Sequence, residues 1–164
     1  MSASPTRPSP RTNAAPMAFT FREFARGACM AWLWFLLLST LASAAMLYSG
    51  ALIALIYAVP WSLAALLVGS PLAYGLGWML RTAASVPLHL VAFTVFGAVI
   101  GIGTTTVAFT APWSDLSGDG MNAVSAPAVA MWIAATIAVP LGWRFTSKRA
   151  LRGDAAELGA VSRA

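Results

Sequence analysis

The feature of this sequence that most constrains its fold is the near absence of charge between Gly27 and Trp143. That stretch is most of the chain, yet its formal charges are only Arg81, Asp115 and Asp119. Over the whole chain 59% of residues are hydrophobic and 9% are charged, whereas about 25% of residues in an average globular protein are charged. Because roughly 20 consecutive apolar residues are enough to cross a hydrocarbon core of about 30 Å, the sequence predicts an integral membrane protein.

Four apolar segments are long enough to span a bilayer, at about residues 28–47, 51–69, 87–110 and 125–143. The second segment is predicted to end near Gly69, since Pro71 disfavours helix at the residue before it. Residues Leu72 to Thr82 would make only about 16 Å of helix, which is too short to cross. The predicted fold is therefore an all-α membrane protein, a four-transmembrane-helix bundle with a short interfacial helix between spans 2 and 3.

The segments on either side of this transmembrane domain (residues 19–143) differ from it in composition. Residues 1–18 are rich in proline, serine, threonine and arginine without apolar periodicity, which predicts a disordered N-terminal tail. Residues 144–164 are predicted to form a basic C-terminal tail. Met1 and Met17 are both compatible starts of the chain.

Two of the helix starts carry recognisable capping signals. Thr20 and Glu23 have the spacing of a capping box, and Phe19 and Phe24 stand at the two positions of a hydrophobic staple. Ser85 is a predicted N-cap ahead of the third span. These signals predict where the first and third helices begin.

The basic residues predict how the chain is oriented. With four spans, all ten Lys and Arg residues fall on one side of the membrane, together with both termini. The positive-inside rule makes this side cytoplasmic. The excess of Arg over Lys in an Ala-rich chain is typical of a GC-rich bacterial genome, so we expect a multi-pass protein of the plasma (inner) membrane. Ala42-Ser43-Ala44 offers the alternative of a cleaved secretory signal, but the apolar stretch continues well past that site.

Small residues recur at three- and four-residue spacing in the predicted spans, which places them on single helix faces. In lipid, helices associate where small residues let their backbones approach closely, and Gly97 and Gly101 form the GxxxG pattern. Packing within this chain and packing against a partner or a second copy are both compatible with such faces. The predicted helix-packing residues are Ala54, Ala58, Gly97, Gly101, Ala134 and Ala138.

Two groups of polar residues are candidates for ligand contact. Thr104 and Thr105 in the third span are placed to line a polar path, although threonines in membranes more often bond to a backbone carbonyl. The next loop carries Asp115, Ser117 and Asp119 in the order of the first half of an EF-hand calcium loop, but the glutamate of position 12 is absent. We therefore expect at most a weak calcium site there, and no other metal or cofactor.

No catalytic set is recognisable in the sequence. His89 is the only histidine, no Asp or Glu lies in a predicted span, and His89 is expected at headgroup depth. The basic residues lie beside apolar segments, which favours anionic lipid headgroups over nucleic acid as their partner. The favoured hypothesis is a non-catalytic membrane protein that acts by helix–helix contact, as an accessory subunit, a partner-binding protein or a homo-oligomer. The alternative is an oligomeric channel, pore or small transporter lined by the third span.

Overall fold

The computed structural model of this chain describes residues 9–47, 51–110 and 126–161. The regular elements in these ranges are four helices, α1 (Phe21–Leu47), α2 (Ala51–Leu80), α3 (Val86–Thr110) and α4 (Ala126–Val161). Each is long and apolar enough to cross a membrane. The prediction of four apolar helices of membrane-spanning length is confirmed. Such helices are typical of a multi-pass membrane protein.

The predicted capping residues stand at the starts of α1 and α3. The backbone N–H of Thr20 donates to Glu23 Oε2 at 2.7 Å, and the backbone N–H of Glu23 donates to Thr20 Oγ1 at 3.2 Å. The rings of Phe19 and Phe24 lie 6.2 Å apart, as a hydrophobic staple requires. At the start of α3, the Ser85 hydroxyl oxygen accepts a long hydrogen bond of 3.5 Å from the first turn. The capping predictions are confirmed.

α1 and α4 run antiparallel and touch through small residues. A Cβ added at Gly142 of α4 would lie 2.6 Å from the Cβ of Ala31 and 2.6 Å from the carbonyl oxygen of Gly27. Only a residue without a side chain fits there. Because close backbone approach drives helix association in lipid, this contact is a main support of the bundle.

α3 packs on the same helix, α4, also through glycines. A Cβ at Gly97 would lie 2.9 Å from the carbonyl oxygen of Ala135, and one at Gly101 would lie 3.0 Å from the Cβ of Ala135 and from Trp132 Cδ1. The GxxxG face of α3 is therefore occupied within the chain.

α2 completes the bundle on the other side of α1. It packs chiefly on α1 and approaches α3 at few positions. One of its links to α1 is the hydrogen bond of 2.9 Å that the Trp32 indole N–H donates to the Ser62 hydroxyl. The boundary between α2 and α3 is consequently the loosest side of the bundle.

The predicted break in the second span is wrong. α2 continues without interruption through Pro71 to Leu80, so the separate interfacial helix expected at Leu72–Thr82 is not formed. A helix of 30 residues is about 45 Å long, which exceeds the hydrocarbon core of about 30 Å. One end of α2 therefore extends beyond the apolar layer.

Tertiary contacts explain why helix persists past the proline. Pro71 removes the usual hydrogen bond to the Leu67 carbonyl, while the Ser70 hydroxyl donates to the neighbouring Leu66 carbonyl at 2.6 Å. The Tyr74 ring then packs edge-on against the rings of Phe24 and Phe19, at 5.2 and 5.4 Å between centroids. These aromatic contacts anchor the last turns of α2 to the start of α1.

Residues 9–20, most of which fall in the predicted disordered tail, lie against one end of the bundle and are called the N-terminal segment below. The Met17 N–H donates to the Arg81 carbonyl at 3.1 Å. The Arg11 guanidinium forms ion pairs of 2.9 Å with both Glu23 and Asp154. This segment thereby joins the start of α1, the connection between α2 and α3, and the far part of α4.

α4 also ends later than predicted. The expected end was near residue 143, but the helix continues to Val161 over most of the predicted tail. Its 36 residues make about 54 Å of helix, so a long part of α4 lies outside a hydrocarbon core of about 30 Å. Every Lys and Arg in the described residues belongs to the end of the bundle that holds this extension and the N-terminal segment. We call it the basic end.

Candidate functional site

A cavity of about 220 Å³ lies between the four helices, and we call it the central cavity. All four helices contribute to its wall, and the N-terminal segment contributes Met17 and Phe19 at the basic end. Most of the wall is apolar and includes the side chains of Phe35, Phe93, Phe96, Ile100 and Met131.

Two hydroxyl groups in the middle of the cavity wall donate to carbonyls of their own helices. Ser62 accepts the Trp32 indole hydrogen bond and donates to the carbonyl of Val59 at 3.0 Å. Thr104 donates to the carbonyl of Ile100 at 2.7 Å. Since each hydroxyl has one proton to donate, these two side chains have no further hydrogen bond to donate.

His89, expected at headgroup depth, is enclosed by protein, with only 2% of its surface exposed. Its Nδ1 lies 2.9 Å from the carbonyl oxygen of Ser85. Because a carbonyl only accepts, this hydrogen bond requires a proton on Nδ1, and in the neutral ring Nε2 is then an acceptor. The ring stacks on Trp143 of α4, at 5.1 Å between centroids. An aromatic surface from a distant part of the sequence thus accommodates the only histidine.

Thr146 lies three residues beyond Trp143 on α4, at the same end of the central cavity as His89. Only 9% of Thr146 is exposed, and its Oγ1 is buried without a hydrogen-bond partner among the described residues. A Cβ added at Gly27 would lie 3.0 Å from this oxygen, so α1 covers it closely. Buried polar atoms are nearly always hydrogen-bonded in folded proteins, which makes the Thr146 hydroxyl the most distinctive group in the wall.

The ion pairs of Arg11 with Glu23 and Asp154 lie at this end of the central cavity, and Arg11 and Glu23 both belong to its wall. Burial opposes the charge of Arg11, but its hydrogen bonds and its attraction to Glu23 and Asp154 outweigh that effect and raise its pKa. Arg11 is therefore a permanent cation whose charge is already balanced by two carboxylates.

The structure places the predicted site residues in three groups. Ala58, Ala134 and Ala138 are buried between helices, as are Gly97 and Gly101. Thr104 and Thr105 both line the central cavity, and Thr105 is the more buried of the two. The side chain of Ala54 and the calcium candidates Asp115, Ser117 and Asp119 lie outside the described residues.

Some residues of the site were not predicted. Gly27 and Ala31 stand four residues apart on α1 and form its contact face for α4, a spacing that a search for small residues would have found. Nothing in the local sequence marks Thr146 as buried, because it follows the charged Arg144 in a segment expected to be a tail. No group of three or more His, Cys, Asp or Glu side chains suited to a metal ion occurs in the described parts of the chain.

No protein-family model matches this sequence, and no curated protein and no solved structure matches it.

Proposed function

We propose that this chain is a non-catalytic protein of the plasma (inner) membrane, with both termini in the cytoplasm, that acts by contact as an accessory subunit or partner-binding protein. The observation that carries the proposal is a row of exposed positive charges, without an ion pair among the described residues, on the part of α4 that extends past the apolar region. Such a surface is suited to an acidic segment of another protein at the membrane.

The charge is arranged along one side of α4. Arg144, Lys148 and Arg152 follow one another at four-residue spacing, which places them on one helix face, and all three are exposed. The acidic side chains that the structure describes, Glu23 and Asp154, are both engaged by Arg11. Among the described residues, these exposed cations of α4 therefore have no carboxylate left to pair with.

Distance along α4 favours a protein partner over headgroups for the outermost of these residues. Arg152 lies nine residues beyond Trp143, about 13 Å along the helix axis. Attraction between exposed charges is largely screened beyond about 8 Å at physiological ionic strength. Arg144 is close enough to the apolar region for lipid headgroups, and Arg152 is better placed for a cytoplasmic partner.

The small-residue faces are less available for contact than the sequence suggested. Gly97 and Gly101 face α4, and Gly142 faces α1. A partner that binds this protein is therefore expected at the basic end rather than on the GxxxG face of α3.

Photo-crosslinking in living cells tests this function. A photoreactive amino acid at Lys148 or Arg152 is expected to yield a protein adduct of defined mass, and the same residue at Val95, which is exposed on the apolar surface, is not. Changing Arg144 to Glu in the Arg152 crosslinking variant should reduce that adduct. Adducts with lipid alone at all three positions would refute the proposal.

A second candidate function is an oligomeric channel or small transporter lined by the third span. It is favoured by the presence of Thr104 and Thr105 in the wall of the central cavity. If a wet path runs there, Thr105→Val should abolish solute flux in reconstituted liposomes while expression and oligomeric state stay unchanged. If the native protein gives no flux, the contact-based function is retained.

A further inference from the structure

We propose that the central cavity is a binding site for an uncharged amphiphile of the bilayer with a hydroxyl head, such as a long-chain alcohol. The apolar chain of this ligand lies between α2 and α3, and its hydroxyl group lies at the basic end, against Thr146 and His89.

The apolar part of the ligand is matched by the wall and by the loose side of the bundle. The wall is mainly apolar along all four helices, and α2 approaches α3 at few positions. Gly69 of α2 is buried and belongs to the wall, yet a Cβ built on it meets no atom within 4 Å. There is therefore open space beside α2 at this depth, which an apolar chain from the surrounding lipid would fill.

The head of the ligand is matched by the hydroxyl of Thr146 and by the second ring nitrogen of His89. Thr146 Oγ1 is buried without a partner among the described residues, and the His89 tautomer fixed by Ser85 leaves Nε2 as an acceptor. Both side chains line the cavity, and the Trp143 ring that stacks on His89 is three residues from Thr146 on α4. A hydroxyl group both donates and accepts, so it is able to donate to Nε2 and to accept from Thr146.

The charges at this end favour a neutral head over an anionic one. Arg11 is the cation in the cavity wall, and it is already paired with Glu23 and Asp154. An anionic head would have to displace one of these carboxylates and would lie beside both. A hydroxyl head needs no counter-ion.

Photoaffinity labelling in phosphatidylcholine nanodiscs tests the site for the chain. The probe is hexadecanol with a diazirine in its chain, and adducts are located by mass spectrometry. Gly69→Leu fills the open space and should reduce labelling of the cavity wall roughly tenfold. Gly75→Leu is the matched control, because a Cβ there also meets nothing within 4 Å, but Gly75 does not line the cavity. Labelling in the control should equal that of the native protein.

The head is tested by comparing hexadecanol with hexadecane and hexadecyl phosphate that carry the same diazirine. Hexadecanol should label the native protein more strongly than hexadecane and hexadecyl phosphate do. Thr146→Val should reduce labelling by the alcohol about three- to tenfold, as expected for the loss of one neutral hydrogen bond. Labelling by the alkane should stay unchanged. Without ligand, this variant should be at least as thermally stable as the native protein, since it removes an unsatisfied buried hydroxyl.

Three results would overturn the proposal. Equal labelling of Gly69→Leu and Gly75→Leu would remove the cavity as the site of the chain. A preference for hexadecyl phosphate would assign binding to the basic residues. Loss of thermal stability in ligand-free Thr146→Val would mean that the hydroxyl is satisfied within the protein.

Discussion

Gly142 is the residue on which the α1–α4 contact depends most directly. Its hydrogen occupies the position where any Cβ would lie 2.6 Å from atoms of Gly27 and Ala31. Real Cβ atoms do not approach other heavy atoms so closely, and one of the contacted atoms is a backbone oxygen that has little room to shift. The smallest substitution at this position therefore separates the two helices.

We predict that Gly142→Ala lowers stability by about 1–3 kcal/mol, the usual cost of overpacking a close contact. Gly103→Ala is the control, because a Cβ at Gly103 meets nothing within 4 Å and alanine favours helix over glycine. The midpoints of thermal unfolding in mild detergent should fall for the first variant and stay equal or rise for the second. Equal midpoints would contradict the close approach of α1 and α4.

The same comparison is available within α3, where Gly101 and Gly103 are two residues apart on different faces. We predict that Gly101→Leu strongly destabilises the protein, because its side chain would enter the space held by Trp132 and Ala135. Gly103 is exposed, so Gly103→Leu should be tolerated. The yield of detergent-solubilised protein and the midpoint of thermal unfolding are measured for both variants. A tolerated Gly101→Leu would mean that α3 does not pack on α4 through this face.

At the scale of elements, the basic end is held together by the N-terminal segment rather than by helix packing alone. Arg11 connects α1 and α4 through two carboxylates, while Phe19 packs on Gly77 and Tyr74 of α2. A Cβ at Gly77 would lie 2.9 Å from the Phe19 ring. The segment consequently contacts α1, which follows it directly, and also α2 and α4, which are distant in sequence.

We predict that Arg11→Gln releases the N-terminal segment without unfolding the bundle, since it removes both ion pairs of the segment but leaves the helix–helix packing unchanged. Limited proteolysis or hydrogen exchange should detect faster cleavage or exchange over residues 9–20. Arg22→Gln changes an exposed arginine on the first turn of α1 and serves as the matched control. Identical protection in the two variants would show that the ion pairs do not hold the segment.

For the molecule as a whole, four spans would place both ends of the chain on one side of the membrane. We predict that a cysteine at Lys148, introduced into a Cys29→Ala background, reacts with a membrane-impermeant reagent only after the cells are permeabilised. A cysteine at Ser117 should react in intact cells. The reverse pattern would invert the orientation that the positive charges predict.

The four apolar helices and the starts of two of them were predictable from the sequence, because length, hydropathy and capping depend on residues close together in the chain. The end of α2 was not predictable in this way, since the helix persists past Pro71 with the help of Tyr74 and its contacts with Phe19 and Phe24. The local rule for proline was outweighed by packing against a different part of the chain.

Which helix faces are buried was not predictable from the sequence. These helices are apolar on nearly all sides, and lipid is as apolar as a protein core, so periodicity does not distinguish a packed face from a lipid-facing one. His89 is buried by its contact with Trp143 across α3 and α4, the Thr146 hydroxyl, which has no partner among the described residues, is covered by Gly27 of α1, and all four helices line the cavity. The pairing of Arg11 with Asp154 likewise joins residues 143 positions apart. Contacts between such distant residues follow from how the helices pack, and no local pattern in the sequence specifies them.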